Sequence, residues 1–162
     1  MMINPFRAPS LASAKPPLRP RLLLVEDDAQ RIDRFRRWLA SSPQGSQFVL
    51  IEATTGGQAM GVLSHGTAPI AGICLDHDLN SRPKAPSDET TSGSDVVVAI
   101  CNRVRRQVPI LVHSMNGSGG QAMHKRLLGA GFSATRIRMV ALNEQLFHGL
   151  MRDVCDLWDW DE

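Results

Sequence analysis

No apolar run in this chain approaches the ~20 consecutive residues that a membrane-spanning helix needs. Apolar runs such as those at 109–112 and 138–142 stop far short of that length. Cysteine is equally scarce. Cys74, Cys101 and Cys155 are odd in number, far apart and without a CxxC pair, which argues against a disulfide framework or a zinc knuckle. Each lies in an apolar stretch and reads as a buried, inert thiol suited to a reducing compartment. The formal charge of +2 is too small to draw a nucleic acid by bulk electrostatics. These absences fit a globular chain, with the cytoplasm as the expected location.

What the sequence does contain is ordered. With 162 residues it has the length of one domain and enough chain to bury a core. Residues 1–20 carry five prolines and no acidic residue, so they can neither extend a helix nor enter a central strand; they read as a flexible leader. The domain proper is expected over 21–158, followed by an acidic tail at 159–162. Trp158 is expected to pack on the domain, with a homodimer contact as the alternative.

From Arg21 onward two patterns alternate. Short continuous apolar runs, as in strands covered on both faces, are expected at 21–25, 48–51, 70–75, 110–112 and 137–140. Stretches of helical periodicity are expected at 30–40, 57–64, 95–104, 121–128 and 145–157; in the first, Ile32, Phe35, Trp38 and Leu39 form the apolar stripe and Arg31, Arg34, Arg36 and Arg37 the remaining surface. Five strand–helix pairs imply a parallel sheet with right-handed crossovers and helices on both faces. Ligands in such folds sit beyond the carboxyl ends of the strands, so chemistry is expected immediately after each apolar run.

It is found there. Glu26, Asp27 and Asp28 follow the first strand, Asp76, His77 and Asp78 the third, and His113, Ser114 and Asn116 the fourth. Gathered carboxylates require a counter-charge, and oxygen donors of this kind suit magnesium or manganese. Helix capping is the alternative for Asp28. The stretch 116–120, Asn-Gly-Ser-Gly-Gly, is expected as a loop whose N–H groups, Gly119 among them, either hold a phosphate or simply flex. The polar segment 80–93 is long for a compact domain and reads as a lid or as a surface insertion.

The run Leu23-Leu24-Val25-Glu26-Asp27-Asp28, with Asp76 and Ser114 at the ends of the third and fourth strands, resembles a response-regulator receiver domain. The resemblance implies a flavodoxin-like three-layer sandwich with a five-stranded parallel sheet of order 2-1-3-4-5. It makes Asp76 the counterpart of the phosphoacceptor and Ser114 that of the hydroxyl residue. Receivers also carry a lysine and usually a proline at the end of the fifth strand, and residues 139–142, Met-Val-Ala-Leu, offer neither. The segments Leu75-Asp76-His77-Asp78-Leu79 and Val112-His113-Ser114-Met115-Asn116 are similar to those of cyclic-phosphate processing receivers. That resemblance implies a metal-dependent phosphohydrolase or phosphodiesterase acting on a small cyclic phosphate, of nucleotide or ADP-ribose type. Asp27 and Asp76 are then the first metal ligands, with Asp28 or Asp78 contributing directly or through water. His113 is the expected general acid or base, with His77 its alternative, and Ser114, Asn116 and Gly119 bind phosphate. The competing reading is a non-enzymatic, atypical receiver that serves as a signalling or protein-interaction module.

Overall fold

The computed structural model describes residues 18–65, 69–79 and 91–158. Most of the expected leader, the greater part of the 80–93 segment and the 159–162 tail lie outside the described residues.

Five strands form one parallel sheet: β1 (Arg21–Val25), β2 (Val49–Ala53), β3 (Ile70–Leu75), β4 (Ile110–Val112) and β5 (Ala134–Arg136), in the order β2-β1-β3-β4-β5. The helices are α1 (Ala29–Ser41), α2 (Gly56–His65), α3 (Gly93–Arg103), α4 (Gly117–Gly129) and α5 (Glu144–Leu157). This is the expected receiver-like sandwich with the expected strand order.

Period-two alternation along β1 divides the core. Leu23 and Val25 face one side, where they meet Val96, Val97 and Ile100 of α3 and Met123 and Leu127 of α4. Leu22 and Leu24 face the other, against Ile32, Phe35 and Leu39 of α1 and Phe147, Met151 and Val154 of α5. Burial of these side chains on both faces is the main force positioning the strand ends. Cys74 of β3 is fully buried in the second cluster, whereas Cys101 and Cys155 are only half-buried. Among the described residues no helix is long and apolar enough to cross a membrane.

Two elements depart from expectation. The glycine-rich stretch is the first turn of α4, not a loop: Asn116 caps the helix, its side chain accepting the Gly119 N–H at 2.7 Å. Glycine costs helix propensity through backbone entropy, and the Asn116 cap helps to offset that cost. The fifth strand lies at Ala134–Arg136, pairing with β4 as Ile110↔Ala134, Leu111↔Thr135 and Val112↔Arg136. The apolar 137–140 run is instead a crossing followed by a turn, in which Ala141 N–H donates to Arg138 O at 2.8 Å and Met139 and Leu142 drop into the α1/α5 cluster. The edge strand is half-exposed and has no need of a continuous apolar run.

The leader boundary also moves. The Arg19 guanidinium donates to the carbonyl of Phe48 at 2.8 Å, and Pro20 O accepts the Val49 N–H at 3.0 Å. Residues 19 and 20 are therefore tied to the β2 edge.

Candidate functional site

The carboxyl ends of β1, β3 and β4 bring the candidate residues to one end of the sheet. Asp76, which follows β3, is 2% exposed. Its Oδ1 accepts the His77 N–H at 2.7 Å and its Oδ2 accepts from Arg31 Nη1 at 3.2 Å. The Ser114 hydroxyl and the Asp78 amide also donate to it. Burial pushes the Asp76 pKa up, while these donors and the Arg31 charge act in the opposite direction.

Glu26, Asp27 and Asp76 each offer an oxygen within 4.8 Å of the others, and all three are buried. Three hard oxygen donors at this spacing fit a small divalent cation of the magnesium or manganese type. Glu26 is a member of this group to which the sequence reading gave no role, and Asp28 and Asp78 lie outside it. Asp28 is the N-cap of α1, its Oδ1 accepting the Arg31 N–H at 2.9 Å. Asp78 stands on the open side with 57% of its side chain exposed, 2.7 Å from His77 Nδ1. Asn116 Nδ2 donates to Asp78 at 3.2 Å, and the His77 contact holds the Asp78 carboxyl below its usual pKa.

The two histidines occupy very different places. His113 has no exposure, its ring lies 4.9 Å from that of Phe35, and neither ring nitrogen has a hydrogen-bond partner. Glu26 Oε2 lies 3.5 Å from its Nδ1. Burial first, then the Arg31 charge, pushes the His113 pKa down to about 3. Glu26 is its counterpart: burial pushes its carboxyl up to about 7, although the Asp28 amide donates to it. His77 is half-exposed and packs against α4. A Cβ on Gly119 would stand 2.7 Å from the His77 ring, so only glycine permits this approach. Of the expected phosphate donors, Ser114 reaches Asp76, whereas Asn116 and the Gly119 N–H satisfy each other as the α4 cap.

Two cations were missing from the sequence reading. Arg31, placed there on the α1 surface, turns into the pocket: its Nη1 lies 3.2 Å from Asp76 and 3.6 Å from Glu26. The signal was present, since a side chain in the first turn of a helix leans back toward the N-terminus. The second follows from the position of β5. Arg136 ends that strand and donates to Gly117 O at 3.1 Å. A Cβ on Gly120 would lie 3.2 Å from Arg136 Nε and 3.3 Å from Ser114 Cβ, which places the guanidinium beside the hydroxyl residue. The fifth strand thus carries no lysine, as expected, but it ends at Arg136 rather than at residues 139–142, so a different cation stands at its end.

A doubly wound 2-1-3-4-5 sheet, a buried acidic group across β1 and β3 and a hydroxyl after β4 define a receiver domain. Residues 21–129 match the cyclic-phosphate processing receiver domain, and the chain belongs to that family. Solved structures of the same fold include the Mn(2+)-bound form of response regulator Rcp1 (TM-score 0.58, 19% identity, covering 82% of this chain and 90% of that one). The phosphorylated cyanobacterial phytochrome response regulator RcpA gives TM-score 0.58 and 19% identity over 86% of this chain and 93% of its own. The receiver domain of an HD-domain protein from Pseudomonas fluorescens Pf-5 gives 0.61 and 14% over 91% and 95%. A search of curated proteins gives no match.

Proposed function

We propose that the chain is an atypical receiver that acts as a signalling or interaction module, receiving a phosphoryl group at Asp76 beside a divalent cation, Mg2+ or Mn2+. The carrying observation is the set around Asp76: two neighbouring carboxylates, a hydroxyl donor from Ser114 and the Arg31 guanidinium at 3.2 Å. Asp27, Asp76 and Glu26 would hold the metal, Glu26 directly or through water. Bound there, the metal supplies charge neutralisation for an incoming phosphoryl group. Attack of an Asp76 oxygen on the phosphorus of a small acyl phosphate forms an aspartyl phosphate and releases the donor's carboxylate. The His77 N–H would orient the attacking carboxylate, and Ser114, with Arg136 beside Gly120, would be the candidate donors to the new phosphoryl oxygens.

A second reading is metal-dependent hydrolysis of a small cyclic phosphate, favoured by the family and by the row His77, Asp78 and Asn116 on the open side. His77 takes the acid–base role in that reading, because His113 is enclosed, with Glu26 Oε2 3.5 Å from its Nδ1. Intact-mass measurement after acetyl phosphate and Mg2+ should show a gain of one phosphoryl group that is absent in Asp76→Asn. A panel of cyclic phosphates in the same buffer gives the opposing test. Turnover lost in Asp27→Asn, with no adduct on wild type, would put hydrolysis first.

A further inference from the structure

Three carboxylates buried within one small volume repel one another strongly unless a cation lies among them. In the structure that cation is part of the chain. Arg31 Nη1 touches Asp76 at 3.2 Å and approaches Glu26 at 3.6 Å, so one nitrogen spans two of the three members of the metal-type group. Two other arginines of α1 are directed elsewhere: Arg36 pairs with Glu52 and Asp33, and Arg34 lies over Trp38.

The attachment of Arg31 is fixed at one end and free at the other. Its backbone N–H is held by the Asp28 cap at 2.9 Å, while 27% of its side chain remains exposed at the pocket mouth. Among the described residues its polar contacts to side chains run through Nη1 alone, which leaves the other donors of a planar five-donor fork without a side-chain partner. That fork matches the geometry of phosphoryl oxygens. A divalent cation drawn to Glu26 and Asp76 meets the same two carboxylates and a like charge, so the two cannot both keep their best positions.

We propose that Arg31 is a phosphoryl-binding residue held as a counter-ion: it bridges Glu26 and Asp76 in metal-free protein, and turns to the phosphoryl oxygens at Asp76 once a divalent cation takes its place. The proposal rests on the metal and phosphoryl reading given above. It predicts two effects of opposite sign for one substitution. Removing the charge favours the metal, because a competitor is gone, and weakens the phosphoryl group, because a donor is gone.

Calorimetric titration of the full chain tests both effects, using MgCl2 alone and then beryllofluoride, a phosphoryl mimic, at saturating Mg2+. Arg31→Gln should bind Mg2+ on the order of tenfold more tightly than wild type and beryllofluoride on the order of tenfold more weakly. Arg31→Lys keeps the charge without the fork, so it should restore wild-type Mg2+ affinity but only part of the beryllofluoride affinity. Thermal melts in EDTA check that each variant is folded. Unchanged Mg2+ affinity in Arg31→Gln, with Mg2+ binding still abolished by Asp27→Asn, overturns the role of Arg31 and leaves the site reading intact. Mg2+ binding indifferent to Asp27→Asn removes the site reading, and the role of Arg31 falls with it.

Discussion

Glu26 Oε2 and His113 Nδ1 face each other at 3.5 Å beneath the pocket, and neither atom has a hydrogen-bond partner. In metal-free buffer their contributions to stability run in opposite directions. Glu26 is raised from 4.5 to about 7 in the fold, so the folded chain keeps a proton that the unfolded chain has lost, and stability falls as pH rises through that window. His113 is lowered from 6.5 to about 3, so the unfolded chain takes up a proton that the fold refuses, and stability falls as pH drops through that window. Glu26→Gln should therefore gain on wild type between pH 4.5 and 7, and His113→Leu between pH 6.5 and 3, by at most roughly 3 and 5 kcal/mol respectively over the span. Denaturant melts across pH read this directly, and variant profiles running parallel to wild type would contradict it. Asp27 and Asp28 provide a second contrast between neighbours. Asp28→Ala should cost about 1 kcal/mol as a lost helix cap and leave Mg2+ affinity within about twofold, since the metal-type group does not include it. Asp27→Asn should lose most Mg2+ binding, and calorimetry on the pair decides. Equal loss of binding in both variants would return Asp28 to the ligand set.

The start of α4 shows how an element can be set by one side chain from elsewhere. Gly119 lies in its first turn, and any Cβ there would meet the His77 ring at 2.7 Å. Gly119→Ala should raise local helix propensity by up to about 1 kcal/mol while driving His77 off Asp78. Net stability then changes little, but the His77 ring resonances shift and the Asp78 carboxyl returns toward its ordinary pKa. Proton NMR of the variant shows whether the ring has moved; unshifted resonances would rule out the contact. Legibility at this scale follows burial. β1 and β3 lie inside the sheet, and their apolar runs mark the observed ends at Arg21–Val25 and Ile70–Leu75. β5 is an edge strand of only three residues, Ala134–Arg136, with no apolar run to reveal it. The apolar 137–140 segment drew the reading three residues too far, and the cation Arg136 was lost with it. The α4 boundary was hidden because glycine suggests a loop, whereas Asn116 is the actual signal.

At the scale of the whole molecule, the alternation of apolar runs and periodic helices made the sandwich and its strand order legible, and the clustering of Asp27, Asp76 and Ser114 followed from topology alone. The sequence could not show depth. His113 and His77 read alike as strand-end histidines, but one is sealed against Phe35 and the other stands at the mouth beside Asp78. Depth also gives Cys74 a use unrelated to phosphate. It lies two residues before Asp76, fully buried between β1 and β4 in the sheet, where burial pushes its thiol up and away from the reactive thiolate. A thiol reagent can reach it only when the sheet comes apart. Cys101 and Cys155, half-buried, should label quickly, and Cys74 at the rate of global opening. In a Cys101→Ser, Cys155→Ser background, labelling of the native chain should be slow and single-phase, and slower still with Mg2+ if the metal binds only the closed fold. Rapid labelling would place β3 among the loosely held parts of the sheet. Cys74 is thus an internal clock, set one turn of the pleat away from the aspartate, that times how often the centre of the protein opens.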